Sequence, residues 1–358
     1  MDDAVTYRQF QLSDQDKIFK LTKLVWGDSV PEKDVWTKGW QWLHLLNPAG
    51  KSIIEISEKN GLIVGQYPLI LHVIKVGPQI VTGSQIVDTM THPDERKSGI
   101  SSKLGELVLN ELSDRGISIA IGFPNQKAYP FHMKRGWTDI GPFNAMLKPV
   151  NAKHILKEYN LKGLFLIISA NAIKFIKILL IPDRELSTSF TIREIFRFDE
   201  RVTKMWESLS NQYQIAIVRN DKYLNWRYID NPTMKYSVYI AEEYNDILGY
   251  IVLGDKFEND FHIGIIYDII GALDRNDIIR SLIEKAVEFF EERGVDMIYC
   301  KMISDKDYSK NFILNGFIPN INKNTRFIIY CDNHRFTDEF VRNSKNWFVQ
   351  AGDLPSVY

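Results

Sequence analysis

The feature that most constrains this chain is that one series of signals runs through it twice. Trp42 with Asn47-Pro48 recurs as Trp226 with Asn231-Pro232, an offset of 184. Glu58, Asn60 and Gly65 recur as Glu242, Asn245 and Gly249, the glycines again 184 apart. Asp88 and Asp268 each sit in an apolar, strand-like run, 180 apart. Arg115-Gly116-Ile117 and Arg293-Gly294-Val295 each close a helix before an apolar strand, 178 apart, and Gly136-Trp137 answers to Gly316-Phe317 at 180. Each signal alone is a common turn or helix-end device. That explains the individual matches but not their shared order, which is the mark of a duplicated unit. The chain divides accordingly into copies at 1–150 and 188–332, a connecting segment at 151–187 and a tail at 333–358. A length of 358 residues exceeds one ordinary core and suits two of roughly 180.

Within the first copy, Thr6 to Phe10 alternates like a strand. Ser13 and Asp16 form an S-x-x-D box that starts a helix running to about Leu24. A second helix runs from Asp34 to just before Asn47-Pro48. Three Ile- and Val-rich runs, Ser52–Ser57, Leu62–Val76 and Gln79–Met90, read as strands, with a hairpin signal at Asn60-Gly61. Ile100 to Asp114 is helical by periodicity, with Leu104, Leu107, Val108 and Leu112 on one face. Ile117–Ile121 is a buried strand, and Lys127–Arg135 is a helix ending at Gly136. This order predicts an α/β (α+β) unit. Its sheet is antiparallel in the middle and turns parallel where a helix crosses from the fourth strand to the fifth.

Composition excludes several classes of function. The 44 basic and 45 acidic residues leave a net charge of −1, against the basic excess of a non-specific nucleic-acid binder. Two cysteines, Cys300 and Cys331, offer no zinc spacing and point to a reducing, cytoplasmic compartment; no metal is expected. The N-terminus lacks the basic and apolar regions of a signal peptide. Residues 163–182 are long enough to span a bilayer, but Asn171, Lys174 and Lys177 draw one polar stripe along them. An amphipathic connecting helix is expected, with a peripheral membrane contact or, last, a true span as the alternatives.

The sharpest local signal is the run His92 to Ser101, which follows a strand and opens a helix. Such a turn presents backbone N–H groups at a helix N-terminus, where the macrodipole favours anions. Gly99 admits a phosphate close to the backbone, and Arg96 and Lys97 add positive charge. An ordinary solvated loop containing a glycine is the competing reading.

Arg96-Lys97-Ser98-Gly99-Ile100-Ser101, with Pro93 three residues before the arginine, resembles the R/Q-x-x-G-x-G/A motif of the GNAT acetyltransferases, with Ser101 at the final Gly/Ala position. Asn125, Ala128, Lys134, Gly136 and Trp137 are similar to that family's N-x-x-A-x-x-x-Y-x-K-x-G-F segment, with His132 in place of the tyrosine. The resemblance covers the first copy. It implies two tandem mixed-sheet units with helices on both faces, and a loop, Arg96 to Ser101, that holds the pyrophosphate of acetyl-CoA. It further implies a pantetheine arm paired with backbone near Met90 and Thr91, and Asn125 beside the cofactor. His132 then stands where the family places the acid for the departing thiolate, with Tyr129 one turn earlier as the alternative donor; a helix-surface histidine without a role is the other reading. Asp88 is the candidate base, since burial in an apolar strand raises a carboxyl pKa. Its counterpart Asp268 favours a purely structural aspartate.

The second copy resembles the same unit with its site worn away. Gly271 to Ile279 has no glycine where the helix opens and carries Asp274 and Asp277, and Asp305 and Phe312 stand for Asn125 and His132. Tyr223 to Tyr228 with Asn231-Pro232, and the ending Trp347 to Asp353, are similar to tandem acetyltransferases of bacterial surface-polysaccharide loci. The expected activity is acetyl transfer to a small-molecule or sugar amine. A scaffold that keeps the fold without turnover, or an aminoacyl transferase resembling FemABX proteins, is the alternative. The cluster Trp26, Trp36, Trp40 and Trp42 is expected to border the acceptor, at least two of the four being core.

Overall fold

The computed structural model describes residues 4–152, 189–303, 306–320, 325–331 and 335–354, with single positions 154, 155, 157 and 168 between the first two stretches. The expected connecting helix at 163–182 lies, position 168 apart, outside the described residues. No helix among the described residues is long and apolar enough to cross a membrane.

The first copy runs β1 (Thr6–Gln9), α1 (Gln15–Trp26), α2 (Lys33–Leu45), β2 (Ile53–Lys59), β3 (Leu62–Val76), β4 (Gln79–Ile86), β5 (Met90–Thr91), α3 (Ile100–Asp114), β6 (Ile119–Gly122), α4 (Tyr129–Met133), β7 (Thr138–Pro142) and β8 (Asn144–Pro149). The second runs β9 (Thr191–Ile195), α5 (Glu200–Leu209), β10 (Ile215–Ile217), α6 (Asp221–Leu224), β11 (Ser237–Glu243), β12 (Asp246–Glu258), β13 (Phe261–Gly271), α7 (Asn276–Glu292), β14 (Met297–Met302), α8 (Lys306–Leu314), β15 (Ile318–Asn320) and β16 (Arg326–Cys331). The end of the chain adds α9 (Asp338–Arg342) and β17 (Trp347–Phe348).

Two sheets result, one of ten strands and one of seven. In the first, β2, β3 and β4 are antiparallel neighbours and β4 meets β6 in parallel, Ser84 beside Ala120. Alternation along the strands divides the side chains between two cores. Ile53, Tyr67, Leu69 and Leu71 lie under α3, against Ile100, Leu104, Val108 and Leu112. Those four helical residues repeat every fourth position, and each fully buried aliphatic side chain contributes about 1.5–3 kcal/mol. Ile54, Ile56 and Met90 lie on the other face with Trp36 and Trp40. Helices thus cover both faces, and the fold class is the α/β one expected.

The start of α1 differs from expectation. The capping box forms between Gln11 and Asp14, not Ser13 and Asp16. The reason is that Arg8 holds the Asp14 carboxylate at 2.7 and 2.8 Å, placing it to accept from the Gln11 N–H at 2.8 Å.

The two sheets exchange strands. β16 inserts between β6 and β7, pairing Ile328 with Gly122 and Arg326 with Pro142. β8 inserts between β14 and β15, pairing Ile298 with Lys148 and Met146 with Pro319. Segments 1–150 and 188–332 therefore do not each close a sheet from their own strands. Segment 333–358 is not a loose tail either, since β17 pairs with β10, which pairs in turn with β3. The duplicated Trp-Asn-Pro signals meet at the junction. Trp42 and Trp226 stack at 5.0 Å, and each indole N–H donates to the other's carbonyl, at 2.7 and 3.0 Å.

Candidate active site

The chain breaks strand geometry between β4 and β5. β3 is paired with β4 up to Leu69–Ile86, and with β5 again at Gln66–Met90, so one extra residue is accommodated between them. Asp88 takes a positive φ of 44° there, and the buried Gln66 side chain holds its carbonyl through Nε2 at 2.9 Å. Asp88 thus sits in a bulge, where the sequence suggested a continuous strand, and bulges re-aim side chains. On the far side, β6 ends at Gly122. β4 and β6 diverge, opening a cavity of ≈ 250 Å³ lined by Trp26, Ile86 to Thr89, Gly122 to Asn125, Ala128, His132 and Ile328. Among the described residues β5 pairs with β3 alone, so its other edge faces this gap.

The cradle follows β5 in the chain. Arg96, Lys97, Ser98 and Gly99 are exposed. Gly99 is the residue before α3, with φ 90°, and a Cβ there would meet nothing within 4 Å. Ser102 and Lys103 donate to the Gly99 carbonyl, leaving the N–H groups just before them outside the helical ladder. No acidic residue occupies the first turn of α3. Ser101 ties this turn to β5 through a hydroxyl contact of 2.6 Å with Thr91. Met90 turns its side chain into the core, so what it offers the gap is backbone. Asn125 accepts from the N–H groups of Lys127 and Ala128 at 3.0 and 2.9 Å, shaping the entry to α4. Open space at Gly99, positive charge and helix N–H groups suit a pyrophosphate, and a gap between strands suits an extended amide-bearing arm. The residues present fit coenzyme A.

The three catalytic candidates part company. Asp88 is half-buried, and among the described residues it has no ion pair; desolvation pushes its carboxyl up to about 7. His132 lines the cavity but is buried among Tyr67, Phe131 and Trp137, its Nδ1 3.4 Å from the Tyr67 hydroxyl. Burial, helped by Arg135, lowers its pKa to about 4, so at neutral pH it is an uncharged imidazole. It is therefore not a histidine of the helix surface. Tyr129 points elsewhere: its hydroxyl donates to Asp139 at 2.6 Å, and Arg326 holds the same carboxylate at 2.9 Å. That hydrogen bond first, then desolvation, raises the Tyr129 pKa.

Of the four tryptophans, Trp36 and Trp40 are core and Trp42 is spent on Trp226; Trp26 reaches the cavity. Ile328 had no local signal, because it arrives on a strand from the second copy. Gln66 and Thr89 were also missed; an isolated polar residue beside a bulge leaves no pattern. In the second copy the cradle is absent. α7 opens after Arg275, which pairs with Asp277 at 2.8 Å, so an acidic side chain already serves that helix end. Phe312 is fully buried against Phe317. No group of three His, Cys, Asp or Glu residues among the described ones is arranged to hold a metal.

Residues 6–140 match the family model described as an acetyltransferase (GNAT) domain. No curated protein matches the chain significantly. Among solved structures, a GCN5-related N-acetyltransferase from Anabaena variabilis is similar at 15% identity and TM-score 0.60, over 91% of this chain and 72% of that one. The N-myristoyltransferase of Saccharomyces cerevisiae with bound myristoyl-CoA is similar at 11% and 0.59, over 92% and 83%. A probable N-acyltransferase of unknown function from Enterococcus faecalis is similar at 10% and 0.61, over 92% and 73%. The fold is that of the GNAT acyltransferases, and the likeness to these solved structures covers 91–92% of this chain.

Proposed function

We propose that the chain is an acyl-CoA-dependent N-acyltransferase that moves a short acyl group, acetyl in the first instance, to an amine. The observation that carries this reading is the conjunction, in one sheet, of the Gly99 cradle with the strand gap at Asp88. Arg96, Lys97 and the N–H groups from Ser98 to Ser101 would hold the pyrophosphate; the backbone from Thr89 to Thr91 would line the arm. When bound, the thioester supplies an activated acyl carbonyl. Asp88 takes the proton from the acceptor ammonium, which a carboxyl near pH 7 can do and one of ordinary pKa does poorly; the freed amine then adds to the carbonyl, the C–S bond breaks, and the amine's second proton goes to the departing thiolate. The bulge fixes Asp88 beside the gap, and Gln66 fixes the bulge, so positioning contributes as well. Backbone N–H groups at the break are suited to polarise a carbonyl. A cavity of ≈ 250 Å³ is at the small end for ligand sites and suits a short acyl group.

A small-molecule or sugar amine is the acceptor class proposed. The test is transfer of label from acetyl-CoA to a panel of amino sugars and small amines. Labelled amide product that disappears in Asp88→Asn supports the reading. Binding of acetyl-CoA with no transfer to any amine would leave a scaffold that keeps the cofactor site.

A further inference from the structure

Two sequence signatures find no use in the first gap: the run Tyr223 to Tyr228 and the ending Trp347 to Asp353. They meet in the second copy. There β13 and β14 run parallel and paired from Ile263–Met297 to Ile266–Cys300 and then diverge, as β4 and β6 do after Gln85–Ile121. The sheet registers make the two gaps equivalent. Thr91 faces Gly65 and Gly271 faces Gly249, so two residues back Thr89 corresponds to Ile269.

The second gap is filled by the chain itself. Gln350 turns its side-chain amide onto the Ile269 backbone, accepting from the N–H at 2.9 Å and donating to the carbonyl at 2.7 Å. On the opposite wall Gln350 bridges to Met302, and the Ile303 N–H donates to the Val349 carbonyl at 3.0 Å. Gly352 approaches so closely that a Cβ would stand 1.9 Å from the Tyr228 hydroxyl. Arg227 donates to the Gly352 carbonyl at 2.7 Å, and Arg219 joins Asp353 at 2.9 Å to Asp268 at 3.2 Å. An amide wedged between splayed strands, donating and accepting on one backbone residue, presents the same groups as the amide of an extended cofactor arm.

We propose that residues 349–353 are a tethered ligand of the second gap, occupying it in place of an amide-bearing arm and closing it to acyl-CoA. The occupancy rests on the hydrogen bonds alone; that the excluded molecule is acyl-CoA rests on the function proposed above. Hydrogen exchange on the full chain reads the occupancy, because the Ile269 N–H is bonded to Gln350. Ile269 is expected to exchange as slowly as Ile270 in the native chain, and at least tenfold faster in Gln350→Ala, with Val87 to Thr91 unchanged. Gly352→Ala displaces the segment while keeping the Gln350 amide and is expected to do the same. Rapid Ile269 exchange in the native chain, or unaltered exchange in both variants, overturns the proposal. Calorimetry separates the two claims. Two acetyl-CoA molecules per native chain contradict the tethered ligand, whereas a protected Ile269 in a chain that binds none sinks the proposed function and leaves the ligand standing.

Discussion

The Asp88 carboxyl stands where β4 breaks, desolvated and, among the described residues, without a cation, while its counterpart Asp268 is fully buried and paired with Arg219. The same residue at equivalent bulges thus has two fates, and the environment decides between them. A carboxyl with pKa about 7 is protonated below that pH and cannot accept a proton. Hence kcat/KM is expected to rise with pH through about 7. Asp88→Asn should lose on the order of 10²- to 10⁴-fold together with that limb of the profile. His132 is the opposite case. Its folded pKa lies below the ordinary histidine value, so its neutral form contributes stability above pH 6.5, and that contribution is lost as pH falls toward 4. Thermal denaturation across this range should show His132→Phe losing less stability than the native chain, by about 1 kcal/mol per pH unit. The resemblance pointed to His132 by position. Only packing against Tyr67 and Trp137 reveals that it titrates too low, and no spacing in a sequence carries that information.

At the scale of elements, periodic signals were the legible ones. The helix at Ile100–Asp114 coincides with its expected bounds, because a four-residue apolar stripe and a glycine at its start leave little choice. The strand expected at Gln79–Met90 is instead β4, a three-residue break and β5. Apolar composition cannot distinguish a continuous strand from a bulged one, and the bulge is where the site lies. The Trp42 and Trp226 signals were read as a repeat; their meaning is a reciprocal pair of indole-to-carbonyl bonds across the junction. Trp42→Phe keeps a stacked ring but leaves the buried Trp226 carbonyl without this donor. Urea denaturation should show a loss of about 1–3 kcal/mol.

For the whole molecule, mixed sheets with helices were legible and the exchange of strands between them was not. The order of five paired signals suggested two units, yet nothing local in Asn144–Pro149 or Arg326–Cys331 says which sheet either will join. Pairing partners about 150 to 210 residues away are fixed by the closed structure alone. Since each sheet is completed by the other copy's strand, neither half has an intact core alone. Calorimetric and spectroscopic melts should coincide in a single transition. Two separated transitions would contradict the exchange. The ending of the chain belongs to the same account, because β17 and Gln350 attach to both sheets through β10 and β13.

The most direct measurement of the central claim is calorimetric titration of the full chain with acetyl-CoA, beside Gly99→Glu. The substitution places a side chain at φ 90° and a negative charge at the cradle while touching no neighbour within 4 Å of its Cβ. One site per native chain, abolished in the variant, is the predicted result. No binding at millimolar acetyl-CoA, or equal binding in the variant, would contradict a cofactor site in the gap between β4 and β6.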